Sequence, residues 1–489
     1  MLLSALTKKA KIEYNGADCD ILGVVCDSRA AGKSSLFVCI KGFATDGHDF
    51  AIFAYNQGCR AFVCERDIEL PGDAITVKVE NARQALAKIS AAFYDFPAEK
   101  IKVIGITGTK GKTTTALMVS SVLSQNGIPC GYIGSNGIEF AGNRFETRNT
   151  TPESLDLHYY FDQMVKAGVS AVALEVSSQA LYLDRVYGIP FFATAFTNLA
   201  PDHIGGAEHP TFEHYRDSKK KLFTEYSSKF SVFSATDEAS DYMSDSTDAL
   251  TSSFGICKGD FSAADIKPFF DSGALGIEFV CNALGNKTTV SLPMPGRFSV
   301  ENALCTIAIA HRFGISAEKS AEALAHTYVF GRFELVKTKL DAVFIIDYAH
   351  NGFSLTSALN TLRAYNPSRL WCVTGSVGGR TKGRRRELGE AMSRLSDIAV
   401  LTSDNPDFED PLDICKDIKD AFVRDIPCEI FSDREDAIRY VVSNVEKGDI
   451  VLFAGKGHEQ YQFIRGGKVP FSERKLIEKY AFELAAELV

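Results

Sequence analysis

The sequence has no long hydrophobic run. No apolar stretch approaches the ~18 residues of a membrane helix, so a membrane-spanning protein is not expected. The start, Met1 to Leu6 followed by Lys8, Lys9 and Lys11, puts its charges behind a very short apolar stretch. A secretory signal has the reverse order and a longer apolar core, so a cytoplasmic protein is expected. Paired cysteines are also lacking. The twelve cysteines are scattered, none forms a CxxC pair, and most sit in apolar segments such as Phe37-Val38-Cys39-Ile40. That pattern suits buried, reduced thiols and argues against a disulfide framework or a zinc site. Positive charge is in deficit: Lys plus Arg is 53, Asp plus Glu is 62, and the net charge is −9. Nucleic acid is held by cationic surface, so a general nucleic-acid binder is excluded, while one small anion in a local basic pocket is not. Internal repeats and low-complexity tracts are absent.

What is present is ordinary soluble composition, 45% apolar and 24% charged over 489 residues. That length corresponds to about three domains. Residues 1–98 contain short β-rich runs (Leu36–Ile40, Ala61–Cys64, Ile75–Val79) and a helix from about Asn81 to Phe93, stopped at Asp95-Phe96-Pro97. Residues 99–332 open on Ile101 to Thr107, a β-branched run with almost no polar interruption, as in a strand buried on both faces. Apolar runs recur at Ala171 to Val176, Ala193 to Thr197 and Phe230 to Phe233, with helical stretches between, so a mostly parallel sheet is expected. Segment 236–290 reads as less regular, with strands near Ile277 to Val280 and Thr288 to Leu292, and an Ala-rich helix follows from Val300 to Phe313. Residues 333–489 alternate again, with buried strands at 342–346, 370–374, 398–402, 428–431 and 450–454. The expected class is α/β throughout.

The strongest local signal is Gly105-Ile106-Thr107-Gly108-Thr109-Lys110-Gly111-Lys112-Thr113-Thr114. A buried strand runs into a glycine loop and then a helix. Backbone N–H groups of such a loop and the helix N-terminus hold phosphate. Lys112 would reach the β/γ-phosphates and the Thr113 hydroxyl would ligate Mg²⁺. The strict GxxxxGK[ST] pattern is missed because position 106 is Ile.

Other polar residues follow strand ends, where ligands lie in open α/β sheets. Glu175, in Glu175-Val176-Ser177-Ser178, could hold Mg²⁺. His203, His209 and His214 lie close together without any common zinc spacing; one of them as a Mg²⁺ ligand, with the others solvated, fits better. Lys219-Lys220-Lys221 reads on its own as a solvated helix face. Arg380, Lys382, Arg384, Arg385 and Arg386 form either an anion site or a solvated basic loop. Asp347 to His350, Asp404 to Asp407 and Gly455 to Glu459 close the series. An active site in a cleft between the two larger α/β units is the economical expectation.

These motifs, in this order and over essentially the whole chain, resemble the Mur ligases, and most closely the MurE type that adds the third residue of the peptidoglycan peptide. Gly108 to Thr114 is similar to the family's GTxGKTT loop, Asn149-Thr150-Thr151-Pro152 to its NTTP segment and Asn198 to His203 to TNLxxDH. Glu175 to Ser178 resembles EVSSH with Gln179 in place of His, and Pro295 to Ala303 resembles GxFNVxNA with Ser299 where Asn is usual. The resemblance implies a small N-terminal domain for the UDP-substrate, a central P-loop ATPase-like domain and a C-terminal Rossmann-like domain. It implies ATP and Mg²⁺ as cofactors, UDP-MurNAc-L-Ala-D-Glu and an amino acid as small-molecule partners, no nucleic acid and a monomer.

Roles follow by the same resemblance. Gly108, Thr109, Lys110, Gly111, Lys112, Thr113 and Thr114 hold the ATP phosphates. Thr113 and Glu175 bind one Mg²⁺ and His203 helps bind a second. Lys219 matches the family's carbamylated lysine, in which CO₂ turns a cation into an anionic metal ligand, while Lys220 and Lys221 stay solvated. Asn302 contacts adenine, and Arg332 and Asp347 close over the nucleotide. Asp27-Ser28-Arg29 and Asp46-Gly47-His48 belong to the uridine side, with Ser28 a binding residue. Thr150, Thr151, Ser178 and Arg185 hold the sugar and peptide.

The amino-acid side falls to Arg385, Asp404, Asn405, Asp407, Gly455 and Glu459, with Arg385 on a substrate carboxylate. Diaminopimelate-adding members read DNPR, whereas this chain reads Asp404-Asn405-Pro406-Asp407. Asp407 would repel a distal carboxylate and attract a distal ammonium, which favours L-lysine, with L-ornithine and meso-diaminopimelate as alternatives. Gln179 and the 203–219 segment also resemble lysine-adding members. A folate or cyanophycin relative is the rival on the same scaffold, and the uridine-side motifs and NTTP argue against it.

Overall fold

The computed structural model describes residues 1–489 except 43–44, 202–203, 206–207, 227, 272–273, 380–381 and 488–489. The chain divides into two compact units. One comprises Met1–Ser262, Asn282–Asn286 and Glu301–Ser320; the other comprises Ala263–Cys281, Lys287–Val300 and Ala321–Val489.

The first unit begins with helix α1 (Leu3–Lys9) and a four-stranded parallel sheet in sequential order, β1 (Gly23–Val25), β2 (Ser35–Val38), β3 (Ala61–Cys64) and β4 (Ile75–Lys78). Helix α2 (Ala51–Asn56) precedes β3, and α3 (Ala82–Phe93) follows β4. Asn81 caps α3 by accepting from the N–H groups of Arg83 and Gln84. The helix stops because Asp95 and Phe96 both take left-handed φ values, 61° and 50°, ahead of Pro97. Strand β1 is short and has one buried residue, which is why no apolar run announces it.

The larger sheet of this unit is centred on β5 (Lys102–Thr107). From there the chain passes through α4 (Lys112–Gln125), the meander β6 (Cys130–Gly134), β7 (Gly137–Phe140) and β8 (Asn143–Phe145), α5 (Ser154–Lys166) and β9 (Ala171–Glu175). It continues through α6 (Ser178–Tyr182), β10 (Phe191–Phe196), α7 (Phe212–Thr224), β11 (Ser228–Ser234), α8 (Ser240–Ser244) and β12 (Leu250–Ile256). The strand order is β12-β11-β10-β5-β9-β6-β7-β8, parallel from β12 to β6. Strand β5 lies between β9 and β10, and the chain leaves it for β6 on one side before crossing to β10 on the other. That reversal opens a crevice at its carboxyl end. Val103 to Thr107 and all of β9 are buried, as their uninterrupted apolar sequence requires.

Segment 236–290 is more regular than expected. It holds β13 (Phe261–Asp271), β14 (Ala274–Ala283) and β15 (Asn286–Leu292) in addition to β12. Asp265, Lys267 and Pro268 interrupt the apolar pattern of β13 and hid it. Helices α9 (Arg297–His311) and α10 (Ala317–Leu324) follow.

In the second unit a six-stranded sheet is formed by β16 (Glu334–Val336), β17 (Val343–Asp347), β18 (Leu370–Thr374), β19 (Ile398–Leu401), β20 (Cys428–Ile430) and β21 (Ile450–Ala454). Its order is β16-β17-β21-β18-β19-β20, and only β16 is antiparallel. Helices α11 (Gly352–Arg363), α12 (Lys382–Leu395) and α13 (Pro411–Lys419) cover one face; α14 (Arg434–Asn444) and α15 (Glu473–Glu487) cover the other. Alternation accounts for the continuous apolar runs. Val343 and Ile345 join the first core, and Phe344 and Ile346 the second. Each such side chain contributes about 1.5–3 kcal/mol by leaving water. A small antiparallel hairpin, β22 (Tyr461–Ile464) and β23 (Gly467–Pro470), was not legible as strands. Among the described residues, no helix is long and apolar enough to cross a membrane.

One core position is pH-sensitive. His158 on α5 is 2% exposed, and its Nδ1 has no hydrogen-bond partner among the described residues. Burial lowers its pKa from 6.5 to about 4. The folded state therefore resists protonation that the unfolded chain accepts. Stability is full above about pH 6.5 and falls by up to about 3 kcal/mol as pH drops toward 4. Melting temperatures between pH 4 and 7 should fall less steeply in His158→Phe than in the wild type. Identical slopes would show that His158 carries none of the acid sensitivity.

Candidate active site

The phosphate loop leaves β5 where the sheet reverses. Gly108 has φ +144°, and a side chain there would fall onto Thr197 Oγ1 and the Asn198 backbone. Gly111 has φ +84°, and a Cβ would meet Asn302 Oδ1 at 2.5 Å. The loop is splinted by the end of β10. Thr109 N–H donates to Asn198 O (2.8 Å), Lys110 N–H donates to Asn198 Oδ1 (2.9 Å), and Asn198 Nδ2 and Thr197 Oγ1 both donate to Lys110 O (3.0 and 2.7 Å). Thr109 Oγ1 accepts from Ala200 N–H and shares a hydrogen bond with Tyr215 OH, each at 2.9 Å. Helix α4 starts at Lys112 without a side-chain cap. Its first N–H groups and positive dipole end are thus available to an anion. The splinting role of Asn198 and Thr197 was missed in the sequence, although both lie in a motif that was noticed.

Two lysines converge on this loop. Lys112 Nζ donates to Gly108 O (2.9 Å) and Thr109 O (3.1 Å), and Lys219 Nζ donates to Gly108 O (2.9 Å). On α7 the buried residues are Tyr215, Ser218, Lys219, Leu222 and Phe223, which is one helical stripe. Lys219 lies in that stripe, 1% exposed, over the Tyr215 ring. Lys220 and Lys221 point away, toward Asp245 and Glu225.

Glu175, at the end of β9, is fully buried. Its Oε1 accepts from Tyr132 OH (2.6 Å) and Ser135 N–H (2.9 Å), and its Oε2 accepts from Thr113 Oγ1 (3.0 Å). A hydroxyl and a carboxylate side by side at a phosphate loop are hard oxygen donors. They fit Mg²⁺, which takes few protein ligands and completes its shell with phosphate and water. Among the described residues there is no cluster of three or more His, Cys, Asp or Glu ready to hold a metal by itself.

His203 lies outside the described residues. The expectation that its neighbours are solvated fails for His209, which is 1% exposed. His209 Nε2 lies 3.0 Å from Ser178 Oγ, and its Nδ1 lies 2.8 Å from His214 Nδ1, close enough to share a proton.

From Glu175 the hydrogen bonds continue toward the other expected substrate residues. Ser135 Oγ pairs with Thr150 Oγ1 (3.0 Å), and Thr151 Oγ1 donates to Glu175 O (2.8 Å). Arg185 donates to Glu153 Oε1 (2.8 Å) and Thr151 O (3.2 Å), and Arg83 of α3 reaches the same Glu153 (3.3 Å). Two guanidinium groups on one carboxylate leave a positive excess, apt for an anionic acceptor. Asn302 is buried and accepts from Thr115 Oγ1 (3.2 Å). Ser28 opens a short turn capped by Asp27, whose carboxylate also grips Arg29. His48 Nδ1 lies 2.6 Å from Asp46 Oδ1, and its Nε2 accepts from Glu65 N–H (2.9 Å).

In the second unit, Asp347 at the end of β17 accepts from Phe333 and Ala349 N–H, both at 2.9 Å. Burial raises its carboxyl pKa and the Arg332 cation opposes the shift. The Arg332 guanidinium lies 4.8 Å from the Tyr348 ring centre. Gly331 and Gly457 press together so that a Cβ on either would collide with the other segment.

The loops after β19 and β21 meet in a polar network. Asn405 Nδ2 donates to Glu459 Oε2 (2.8 Å), and Asn405 Oδ1 accepts from Lys456 Nζ and Phe463 N–H, both at 2.8 Å. Gly455 has no room for a side chain because Asp404 Oδ2 lies there. Two of the expected residues also have partners of their own. Arg385, expected on a substrate carboxylate, is 2% exposed and already paired with Glu409 (2.6 Å) and Asp417 (2.8 Å). Asp407, expected to face an ammonium, accepts at Oδ1 from Gly466 N–H (2.7 Å), while its backbone bonds Phe463 and Arg465. It fastens the β22–β23 turn as well as carrying charge. Neither partner set is near in sequence. Arg380 lies outside the described residues.

Three family profiles match the chain: the Mur ligase family catalytic domain at residues 20–94, the Mur ligase middle domain at 106–310 and the Mur ligase glutamate ligase domain at 331–457. A protein of Caldanaerobacter subterraneus subsp. tengcongensis named UDP-N-acetylmuramoyl-L-alanyl-D-glutamate--2,6-diaminopimelate ligase is 40% identical over 486 residues, 99% of each chain. One of the same name from Clostridium botulinum is 38% identical over 465 residues, 94% of each chain. A solved structure of a ligase of that name superposes with a TM-score of 0.72 at 25% identity, covering 98% of this chain and 99% of the other. The MurF ligase of Thermotoga maritima in complex with ADP shares the fold, with a TM-score of 0.62 at 19% identity over 95% and 98% of the two chains. With its phosphate loop and strand-end carboxylate set in this three-domain α/β fold, the chain belongs to the Mur ligase family and is an ATP-dependent amide ligase.

Proposed function

We propose that this ligase joins L-lysine to the γ-carboxylate of D-Glu in UDP-MurNAc-L-Ala-D-Glu through an acyl phosphate, in peptidoglycan precursor synthesis. The observation that carries the reading is the convergence of Lys112, Thr113, Glu175 and Lys219 on one phosphate loop. A carboxylate is a poor acyl donor, because its leaving group is oxide. An oxygen of the γ-carboxylate attacks the γ-phosphorus of ATP and ADP departs. The amine nitrogen then attacks the acyl carbonyl, loses its proton, and the tetrahedral intermediate expels phosphate.

The first step brings two anions together, and Lys112 with the α4 N-terminus lowers that repulsion. Thr113, Glu175 and the carbamate of Lys219 would hold Mg²⁺, with His203 on a second ion, and the metal supplies further charge neutralisation. Carbamylation suits the place of Lys219, which is 1% exposed and lies beside the same loop as Thr113 and Glu175. Asn302, Arg332 and Asp347 serve the nucleotide. The positive excess of Arg83 and Arg185 over Glu153 serves the acceptor's carboxylates, with Thr150, Thr151 and Ser178 on its peptide and Ser28 on its uridine side. The boundaries 1–98, 99–332 and 333–489 divide these tasks. The twelve cysteines are all free thiols, which suits a reducing compartment, and we assign the enzyme to the cytoplasm as a monomer.

Lysine rests on charge near the amino-acid residues Asp404, Asn405, Gly455 and Glu459. Asp407 adds a carboxylate, and Arg385 is taken by Glu409 and Asp417, so neither offers a cation to a distal carboxylate. The second reading is meso-diaminopimelate; the names of the relatives described above carry 2,6-diaminopimelate. Phosphate release from ATP, measured with UDP-MurNAc-L-Ala-D-Glu and L-lysine, L-ornithine or meso-diaminopimelate in turn, separates them. A lysine response supports the proposal, a diaminopimelate response replaces the amino acid, and silence with all three removes the acceptor.

Two substitutions sharpen the assignment. Lys219→Ala should lower turnover at least a hundredfold and recover part of it with added short-chain carboxylates; unchanged turnover defeats the carbamate. Asp407→Asn keeps an acceptor for Gly466 N–H but removes the charge. The KM for L-lysine should rise about fivefold, the equivalent of ~1 kcal/mol for a half-exposed ion pair. An unaltered KM means that Asp407 does not read the ammonium.

A further inference from the structure

Lys456 is a charged side chain with no exposure at all, and the mechanism above gives it nothing to do. An ammonium group in such a position costs several kcal/mol unless it is paired and hydrogen-bonded. Its partners are specific. Nζ donates to Glu459 Oε2 (2.7 Å) and Asn405 Oδ1 (2.8 Å) and lies 3.8 Å from Asp404 Oδ1. Glu459 Oε2 also receives Asn405 Nδ2, so one oxygen of this carboxylate is held twice. Among the described residues nothing donates to Glu459 Oε1, and its side chain is 15% exposed. One oxygen is fixed and the other is offered outward.

The surroundings reinforce the arrangement. Arg434, the largest fully buried side chain, pairs with Glu473 (2.6 Å) and donates to Ser403 O (3.3 Å) and Ala454 O (2.9 Å). Those carbonyls stand at the roots of the two loops that carry Asn405 and Glu459. Arg434 and Glu473 balance each other. Lys456 then faces two carboxylates, Asp404 and Glu459, and one negative charge remains. A site with one uncompensated negative charge and one open carboxylate oxygen is suited to an ammonium group.

Resting on the proposed amino-acid site, we propose that Lys456 is a positioning residue for the incoming amino acid: it locks Glu459 and Asn405 into one orientation, so that Oε1 receives the substrate's ammonium. The groups facing Glu459 are Lys456 and Asn405 by direct hydrogen bond, with Asp404, Arg434, Tyr348, Tyr461 and Arg332 around them. Tyr348 stays neutral, because burial pushes its hydroxyl up to about 12. Without Lys456, Glu459 Oε2 and Asn405 Oδ1 would each lose the Nζ–H donor that fixes them.

The test is steady-state kinetics of the full-length Lys456→Met and Lys456→Gln variants against wild type, with whichever amino acid wild type uses. Silence of wild type with every amino acid defeats the ligase reading itself and is seen before any variant is made. Given an active wild type, the expected result is a rise of at least tenfold in the amino-acid KM. The KM values for ATP and for the UDP-linked acceptor should stay within about twofold. The kcat should stay within about threefold, a split between KM and kcat that simple loosening of the fold does not produce. An unchanged amino-acid KM, an equal rise in all three KM values, or a fall confined to kcat overturns the proposal. If Lys456→Met does not melt cooperatively, Lys456→Gln decides. If neither folds, Lys456 is a strut of the domain and the positioning role is refuted.

Discussion

The carbonyl oxygen of Gly108 accepts from two lysine side chains, Lys112 from the helix that follows it and Lys219 from one that arrives 111 residues later. That double donation depends on a glycine, since any side chain at 108 would run into Thr197. It depends also on Asn198, which ties down the loop backbone on both sides of Lys110. With the loop so braced, α4 begins without a cap, Thr113 meets Glu175, and the chain of hydrogen bonds runs on through Ser135 to Thr150. The chemistry of this unit is therefore anchored in backbone placement, and side chains are arranged around it.

The two units hold different charge. The phosphate-loop unit sets Lys112 beside an uncapped helix N-terminus and two arginines on a single glutamate, a gathering of positive charge. The six-stranded sheet unit carries two carboxylates on one lysine, and two of its buried arginines are committed to other carboxylates, Arg434 to Glu473 and Arg385 to Glu409 and Asp417. ATP and a nucleotide-linked peptide are anions, and an incoming amino acid such as lysine brings ammonium groups. The signs match the reactants each unit is proposed to hold.

Much of the fold was legible because its strands are buried on both faces and so read as unbroken apolar runs. The five C-terminal strands expected at 342–346, 370–374, 398–402, 428–431 and 450–454 are there, as is the helix capped by Asn81, although β20 is an edge strand with no buried residue. Among the strands that were not legible are β1 for its brevity, β6 for its two glycines, β13 for its proline and charges, and β22 and β23 for their exposure. In the site, residues whose partners are close in sequence or common to the motif could be read. Lys219 could be told from Lys220 and Lys221 by resemblance, and helical periodicity on α7 gives the same answer. Arg385 and His209 could not be read, because what occupies them lies on other segments and a sequence does not say which charges are already spent.

Arg434 reaches the carbonyls beyond β19 and at the end of β21, and those strands are not neighbours; β18 runs between them. The guanidinium thus works as a crossbeam that pins those two loops, while the loop leaving β18 is tied to the first of them by its own hydrogen bond from Gly378 N–H to Asn405 O. A change of side-chain charge in that third loop leaves the crossbeam intact, whereas a change of length at 375–379 would pull on Asn405 itself. On such a frame, descent from a common ancestor can exchange the distal group that a ligase accepts while the amine-binding posts stay where they were.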